Sequence, residues 1–428
     1  MNFARYKELL GVPQVRRLLL VAMLARFPHS AAGVLLTLHV VGTLQRGYGA
    51  AGAVAAAITV GIAVGAPWRG RRVDSSGLRA ALVPSVIAEA VIWCTAPFLP
   101  YELLVPVAVL GGLFALPIFS VVRQSLGVMV SAEQRRTAYA LDSVGTEITF
   151  MVGPAAGVVL ATALPSTVGL VLIGVSSSLA GVFLMWFNPP TRTGHRGSFV
   201  HEGADDVECM EEISPAEAKA SSSYAGANAV ARLFGRARSN FHWITPAIIA
   251  VLGAAAGSGL VLSGTDVGIV ALLREGDHVK ELGLVFLFWC AASVVGGLVY
   301  GALHRPVSPL LLLAAMGALT VPMGFAHDTW WLALLSVPPG LLCAPTLSAA
   351  TESVASLVAE ERRGEAMGWY GSALTAGSAL GSPLAGVAID VVGPWAGFAL
   401  VGVLAVLLCT AGWTVRGARR RRVSGLAR

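Results

Sequence analysis

The sequence predicts an all-α membrane protein, twelve transmembrane helices arranged as two six-helix bundles. Three observations carry this. First, 55% of the 428 residues are apolar and only 13% are charged, whereas a soluble domain carries roughly 25% charged residues. Such a chain cannot cover a globule with polar surface, so lipid must be its solvent. Second, it contains twelve apolar runs near the length of about 20 residues that spans the hydrocarbon core. Third, Lys and Arg are segregated. Of the 30, only Arg46, Arg274 and Lys280 fall in loops opposite the N-terminus, and Arg26 lies inside a run. That bias places both termini in the cytoplasm and makes the number of spans even. The net charge of +6 therefore marks one membrane face and does not point to nucleic acid.

In chain order the runs are 18–44, 50–68, 80–99, 103–122, 138–164 and 167–187, then 244–273, 282–303, 310–326, 330–350, 367–389 and 395–415. Backbone polar groups in lipid must be satisfied within the segment, and strand-type alternation is absent, so the runs are helices. The first run is too long for a signal-peptide core and reads as a retained span. The expected units are an N-terminal bundle (1–187), a central cytoplasmic loop (188–240), a C-terminal bundle (241–415) and a basic cytoplasmic tail (416–428). The central loop begins acidic, with Glu202, Asp205, Asp206, Glu208, Glu211, Glu212 and Glu217. It ends in residues 227–238, where Val230, Leu233 and Phe234 alternate with Arg232, Arg236 and Arg238. That pattern suits a short amphipathic helix on an anionic leaflet; the acidic part reads equally well as a solvated linker.

An internal repeat supports the two halves. A shift of 228 residues places Pro117 on Pro345, Ser120 on Ser348, Ser125 on Ser353, Val130 on Val358, Glu133 on Glu361, Arg135 on Arg363 and Gly153 on Gly381. Two related halves with a substrate site between them is an architecture of many secondary transporters. No Walker A sequence, nucleophile–base set or metal-ligand spacing is visible, so no enzyme, bound cofactor or metal site is expected. The five cysteines have no paired spacing and read as small packing residues.

Between the second and third runs lies Gly70-Arg71-Arg72-Val73-Asp74-Ser75-Ser76-Gly77-Leu78-Arg79. This stretch resembles the G-x-L-x-D-R-x-G-x-R loop of the major facilitator superfamily, with Gly70, Asp74, Gly77 and Arg79 in register. Arg72 stands in place of the Leu and Ser75 in place of the Arg. The resemblance implies the major facilitator fold, rocking alternating access, and a cytoplasmic gate in which Asp74 meets the start of the eleventh span near Arg362, Arg363 and Glu365. A helix N-terminus carries about half a positive charge, which suits that contact. Arg123 and Gln124 are expected to join the gate, or Arg123 only to anchor its span. In the fifth span, Gly153-Pro154-Ala155-Ala156-Gly157 resembles the G-P-x-x-G helix-packing element of the family's efflux branch. The Arg-x-x-x-Gly element expected in the fourth span is missing.

Charges inside a membrane are costly, so each is a functional candidate. They are Arg26, Glu89, Asp142, Glu147 and Asp266. At about 1.5 Å per residue, Arg26, Glu89 and Glu147 lie at one depth near the midplane. The expected pair is Arg26 with Glu147, either a proton- or substrate-sensitive switch or a permanent structural bridge. His29 lies one turn beyond Arg26. His39 and Asp266 are candidates for an outer gate, and Asp142 reads as a surface partner of Arg135 and Arg136. The resulting expectation is a monomeric inner-membrane antiporter that exports a hydrophobic or amphipathic small molecule on the proton gradient. Its rivals are a transporter of an anionic metabolite held by Arg26, and a non-transporting sensor or scaffold of the same fold.

Overall fold

A computed structural model describes residues 4–193, 243–278, 281–303 and 305–426. All its regular elements there are helical. The short α1 (Ala4–Gly11) precedes α2 (Pro13–Leu38), α3 (Tyr48–Ser76), α4 (Leu78–Thr95), α5 (Tyr101–Phe114), α6 (Ile118–Met129), α7 (Arg135–Ala163) and α8 (Ser166–Phe187). The second half comprises α9 (Pro246–Glu275), α10 (Leu282–Gly301), α11 (Pro309–Thr320), α12 (Thr329–Leu357), α13 (Arg363–Val392) and α14 (Pro394–Leu426). Ten helical segments among the described residues are long and apolar enough to cross a membrane. The 29-residue α7 and α11 with its 3-10 continuation Val321–Phe325 fill the remaining two of the twelve expected places. Large apolar side chains stay exposed on the outside, among them Leu24, Val64, Val387 and Val391, as a lipid-facing surface requires. The expected amphipathic segment 227–238 and the acidic loop lie outside the described residues.

Several boundaries differ from the sequence reading. Most of the expected loop 70–79 is helix. α3 runs on to Ser76, and the turn is confined to Gly77, whose φ of 78° suits a residue without Cβ. The first span is preceded by a separate helix, α1, because Pro13 sits at the first position of α2. The expected tail at 416–428 continues α14 as far as Leu426. The fourth span is broken between Phe114 and Ile118 at Pro117, since proline removes a helix hydrogen bond and crowds the preceding turn.

The 228-residue shift describes the fold closely. It carries α7 onto residues 363–391, where α13 is found, and residues 101–129 onto 329–357, where α12 is found. One difference lies at the proline. Pro117 breaks its span, whereas Pro345 lies inside the unbroken α12. At both places a neighbouring helix takes the amide just before the proline. Glu89 Oε1 accepts from the Leu116 N–H at 3.3 Å, and Ser293 Oγ accepts from the Ala344 N–H at 3.2 Å.

Within the first half α2 packs on α7 and α8, α3 on α5, and α4 on α8. Within the second, α9 packs on α13 and α14, and α10 on α12. The halves meet along two seams, α3 against α13 and α7 against α10. Under the shift these seams exchange with one another, as a pseudo-twofold relation demands. Small residues permit the close approaches inside each half. A methyl group at Gly153 or Gly157 would strike Ser30 or Ala31 of α2, and one at Gly377 or Gly381 would strike Ala256 or Leu260 of α9.

Candidate functional site

At the end of the molecule that carries Arg69–Arg72, Arg135–Arg136 and Arg362–Arg363, here the basic end, the first seam is closed by Asp74. The extension of α3 puts this carboxylate in the helix's last turn, buried to 5% exposure. It accepts hydrogen bonds from the Gly364 N–H at 3.0 Å, the Glu365 N–H at 2.7 Å and the Gln124 side-chain amide at 2.9 Å. The first amides of a helix lack intrahelical partners and lie at its positive end, so an anion there is doubly favoured. Gly70 lets α3 approach this closely, because a methyl group on it would strike the Gly364 carbonyl. Arg71 pairs with Glu365 at 2.5 Å.

The other gate candidates sit differently. Arg79 donates to the Met185 carbonyl at 3.0 Å, within its own half. Gln124 reaches Asp74, but Arg123 does not. It turns toward Asp142 and lies over the Tyr370 ring. Arg363 is buried at the start of α13, where backbone amides and not its side chain meet Asp74.

The second seam holds contacts that the sequence reading missed. Arg136 grips Glu352 through two hydrogen bonds of 3.0 Å and donates to the Leu303 carbonyl at 2.9 Å. Thr137 donates to the Gly301 carbonyl at 2.8 Å, and Ser143 meets Ser348 at 2.8 Å. The shift of 228 maps Arg136 and Thr137 onto Gly364 and Glu365. Applied to the first seam, it was the signal that could have found the second.

Inside the membrane the expected Arg26–Glu147 pair is not formed. Arg26 Nη1 lies 2.7 Å from Asp142 and donates to Thr146 at 2.9 Å, and Arg123 approaches the same Asp142 at 3.2 Å. Phe119 covers Arg26, its ring centre 4.4 Å away. Asp142, expected at the surface, is 1% exposed. The reason is helical geometry. Asp142 and Glu147 are five residues apart, about 140° around α7, so they cannot face the same neighbour. Asp142 faces α2 and α6, while Glu147 faces the second half. There its Oε1 accepts from the Cys343 thiol at 3.2 Å, with the Ser293 hydroxyl close by. Asp266 of α9 is within electrostatic reach of Glu147.

His29 and Glu89 pair at 3.4 Å inside the first half, and Ser177 donates to Glu89 at 3.2 Å. His39 is fully buried and bonds to Ser166 at 2.9 Å. The expected His39–Asp266 gate is therefore not formed: His39 is held inside its own half, and Asp266 lies near Glu147. Pro154 lies within α7 between the two packing glycines.

The seam hydrogen bonds identified among the described residues begin at the basic end. They extend inward as far as Glu147–Cys343 and Ser372 with the Ala63 carbonyl. A model of the Major Facilitator Superfamily matches residues 18–312 and again 252–427, the second match falling on the second half. The chain belongs to the major facilitator superfamily. Members of this superfamily are transporters, and the chain's helices make it a multi-pass membrane protein. No curated protein sequence matches it. Among solved structures of the superfamily's fold, the human organic anion transporter MFSD10 (TETRAN) is similar with a TM-score of 0.65 and 16% identity, over 94% of this chain and 99% of that one. The proton:xylose symporter XylE bound to 6-bromo-6-deoxy-D-glucose is similar with a TM-score of 0.64 and 12% identity, over 94% and 95%. At such identities the likeness is one of fold.

Proposed function

We propose that this superfamily member is an inner-membrane secondary transporter, with both termini cytoplasmic, that exports a hydrophobic or amphipathic small molecule in exchange for protons. The observation that carries the reading is Glu147. It lies deep in the membrane, on the seam between halves, and it is met by the Cys343 thiol, with the Ser293 hydroxyl nearby, instead of by a cation. A membrane carboxylate held in this way is a group that can gain and lose a proton as the seam opens. Asp142, clasped by two guanidinium groups, is poorly suited to that task. Asp266 adds a second carboxylate near the same space. The spans are mostly apolar and carry few charges, which suits an amphipathic solute better than a sugar that needs many hydrogen bonds. The Asp74 contact and the Arg136–Glu352 clasp act as the cytoplasmic gate, closed while the far side is open. Arg26 spends Nη1 on Asp142 and Thr146 and is covered by Phe119, so its charge is already balanced, although its buried Nε and Nη2 have no hydrogen-bond partner.

The test is a solute-loss screen with and without the protein at two external pH values, repeated with Glu147→Gln. Export that rises with the inward proton gradient and vanishes in Glu147→Gln supports the reading. Undiminished gradient-driven export by that variant would end it. Selective loss of anion movement in Arg26→Lys would favour the anionic-metabolite rival instead.

A further inference from the structure

At the basic end of the second seam, α1 lies across the ends of α7 and α10. Eight residues are too few for a stable free helix, so α1 must be held by what it touches. Leu9 is fully buried, and the Tyr6 hydroxyl donates to the Leu298 carbonyl at 2.6 Å, in the last turn of α10. The same carbonyl accepts from the Ala302 N–H at 3.3 Å, so Tyr6 takes its second lone pair. Burial raises the Tyr6 phenol pKa above its ordinary value, so it stays a donor. The ring rests against Gly301, where a side chain would collide with it.

Beneath this helix is an open cleft of about 620 Å³ lined by Tyr6, Lys7, Leu10, Gly11, Leu141 and Leu298. Its size falls within the range of small-molecule sites. Its floor is apolar, three leucines contributed by α1, α7 and α10, and its single charge is the Lys7 ammonium at the exposed rim. The adjoining chain adds Arg5, Arg16 and Arg17 against one acid, Glu8. None of these cations has an ion pair among the described residues. An apolar groove rimmed by a lysine, in a chain segment with four cations and one acid, matches a molecule with an acyl chain and an anionic headgroup.

We propose that this cleft is a binding site for an anionic phospholipid, with an acyl chain along Leu10, Leu141 and Leu298 and the phosphate at Lys7. The cleft exists because α1 and α7 of the first half meet α10 of the second. A lipid seated there binds the closed basic end and not the open one, and so shifts the alternating-access equilibrium by mass action.

The experiment uses the purified full chain with native mass spectrometry, titrated with phosphatidylglycerol or with phosphatidylcholine of the same acyl chains. The wild type is expected to retain phosphatidylglycerol preferentially. Lys7→Gln is expected to lower that retention about tenfold, a change of 1.4 kcal/mol, and to leave phosphatidylcholine retention unchanged, while Lys7→Arg restores it. Leu141→Trp, which fills the groove, is expected to lower retention of both lipids. Free glycerol phosphate is expected not to displace the lipid, because it lacks the chain. Each variant is first required to elute as the wild type does on size exclusion. Retention that is indifferent to both Lys7→Gln and Leu141→Trp, or equal for the two headgroups, would overturn the proposal.

Discussion

Asp142 and Glu147 are two carboxylates on one helix with opposite surroundings. Asp142 serves two buried guanidinium groups, so Asp142→Asn leaves Arg26 and Arg123 buried without their anion. Breaking such a group is expected to cost about 3–5 kcal/mol, read as a large fall in the thermal midpoint of the detergent-purified protein. Glu147→Gln removes no ion pair and is expected to change stability by less than about 1 kcal/mol while abolishing gradient-driven export. Equal destabilisation by both would contradict the different roles assigned to them. That membrane charges existed at these positions was legible in the sequence. Which of them met was not, because depth along a helix can be counted from the sequence, whereas its rotation about its axis is set only by its neighbours. Arg26 and Glu147 share a depth, yet Asp142 holds the face of α7 that α2 and α6 touch.

At the scale of elements, the contact of α3 with α13 depends on two features, the absence of a side chain at Gly70 and the anion at Asp74. Gly70→Leu places bulk where the Gly364 backbone sits, so the seam cannot close as it does here. The variant is expected to fold and to lose transport, with a cysteine at Ser348 becoming reactive to a thiol reagent applied from the basic end. Asp74→Asn keeps the shape but weakens charge-assisted bonds to two helix-end amides, each worth about 1.5–3 kcal/mol. Its expected effect is a several-fold rise in the same reactivity, measured with the five native cysteines replaced. No rise in either variant would remove the gate assignment. The sequence motif led to Asp74 and to the start of α13, but placed Asp74 in a loop. Helix continuation through Ser76 reflects the docking of this turn on α13, a tertiary effect that local propensity does not contain.

For the molecule as a whole, two seams related by one shift imply that both must part together when the basic end opens. Ser143 and Ser348, 2.8 Å apart across the second seam, offer a direct check in the cysteine-free background. A Ser143→Cys, Ser348→Cys pair is expected to cross-link on oxidation, to stop transport, and to regain it on reduction. Unchanged transport by the cross-linked protein would show that the halves do not separate there. The sequence by itself determined the lipid-embedded helices, the number of spans and the two-half plan. These follow from apolar length, basic-residue bias and a repeat, all of which act along the chain. The tertiary structure alone decided the partners: Asp142 for Arg26, Cys343 for Glu147, Glu352 for Arg136, and the cleft beneath α1. The physical reason is that these pairings depend on how helices distant in sequence are rotated and pressed together. That arrangement is fixed by packing among all of them at once, and no single segment encodes it.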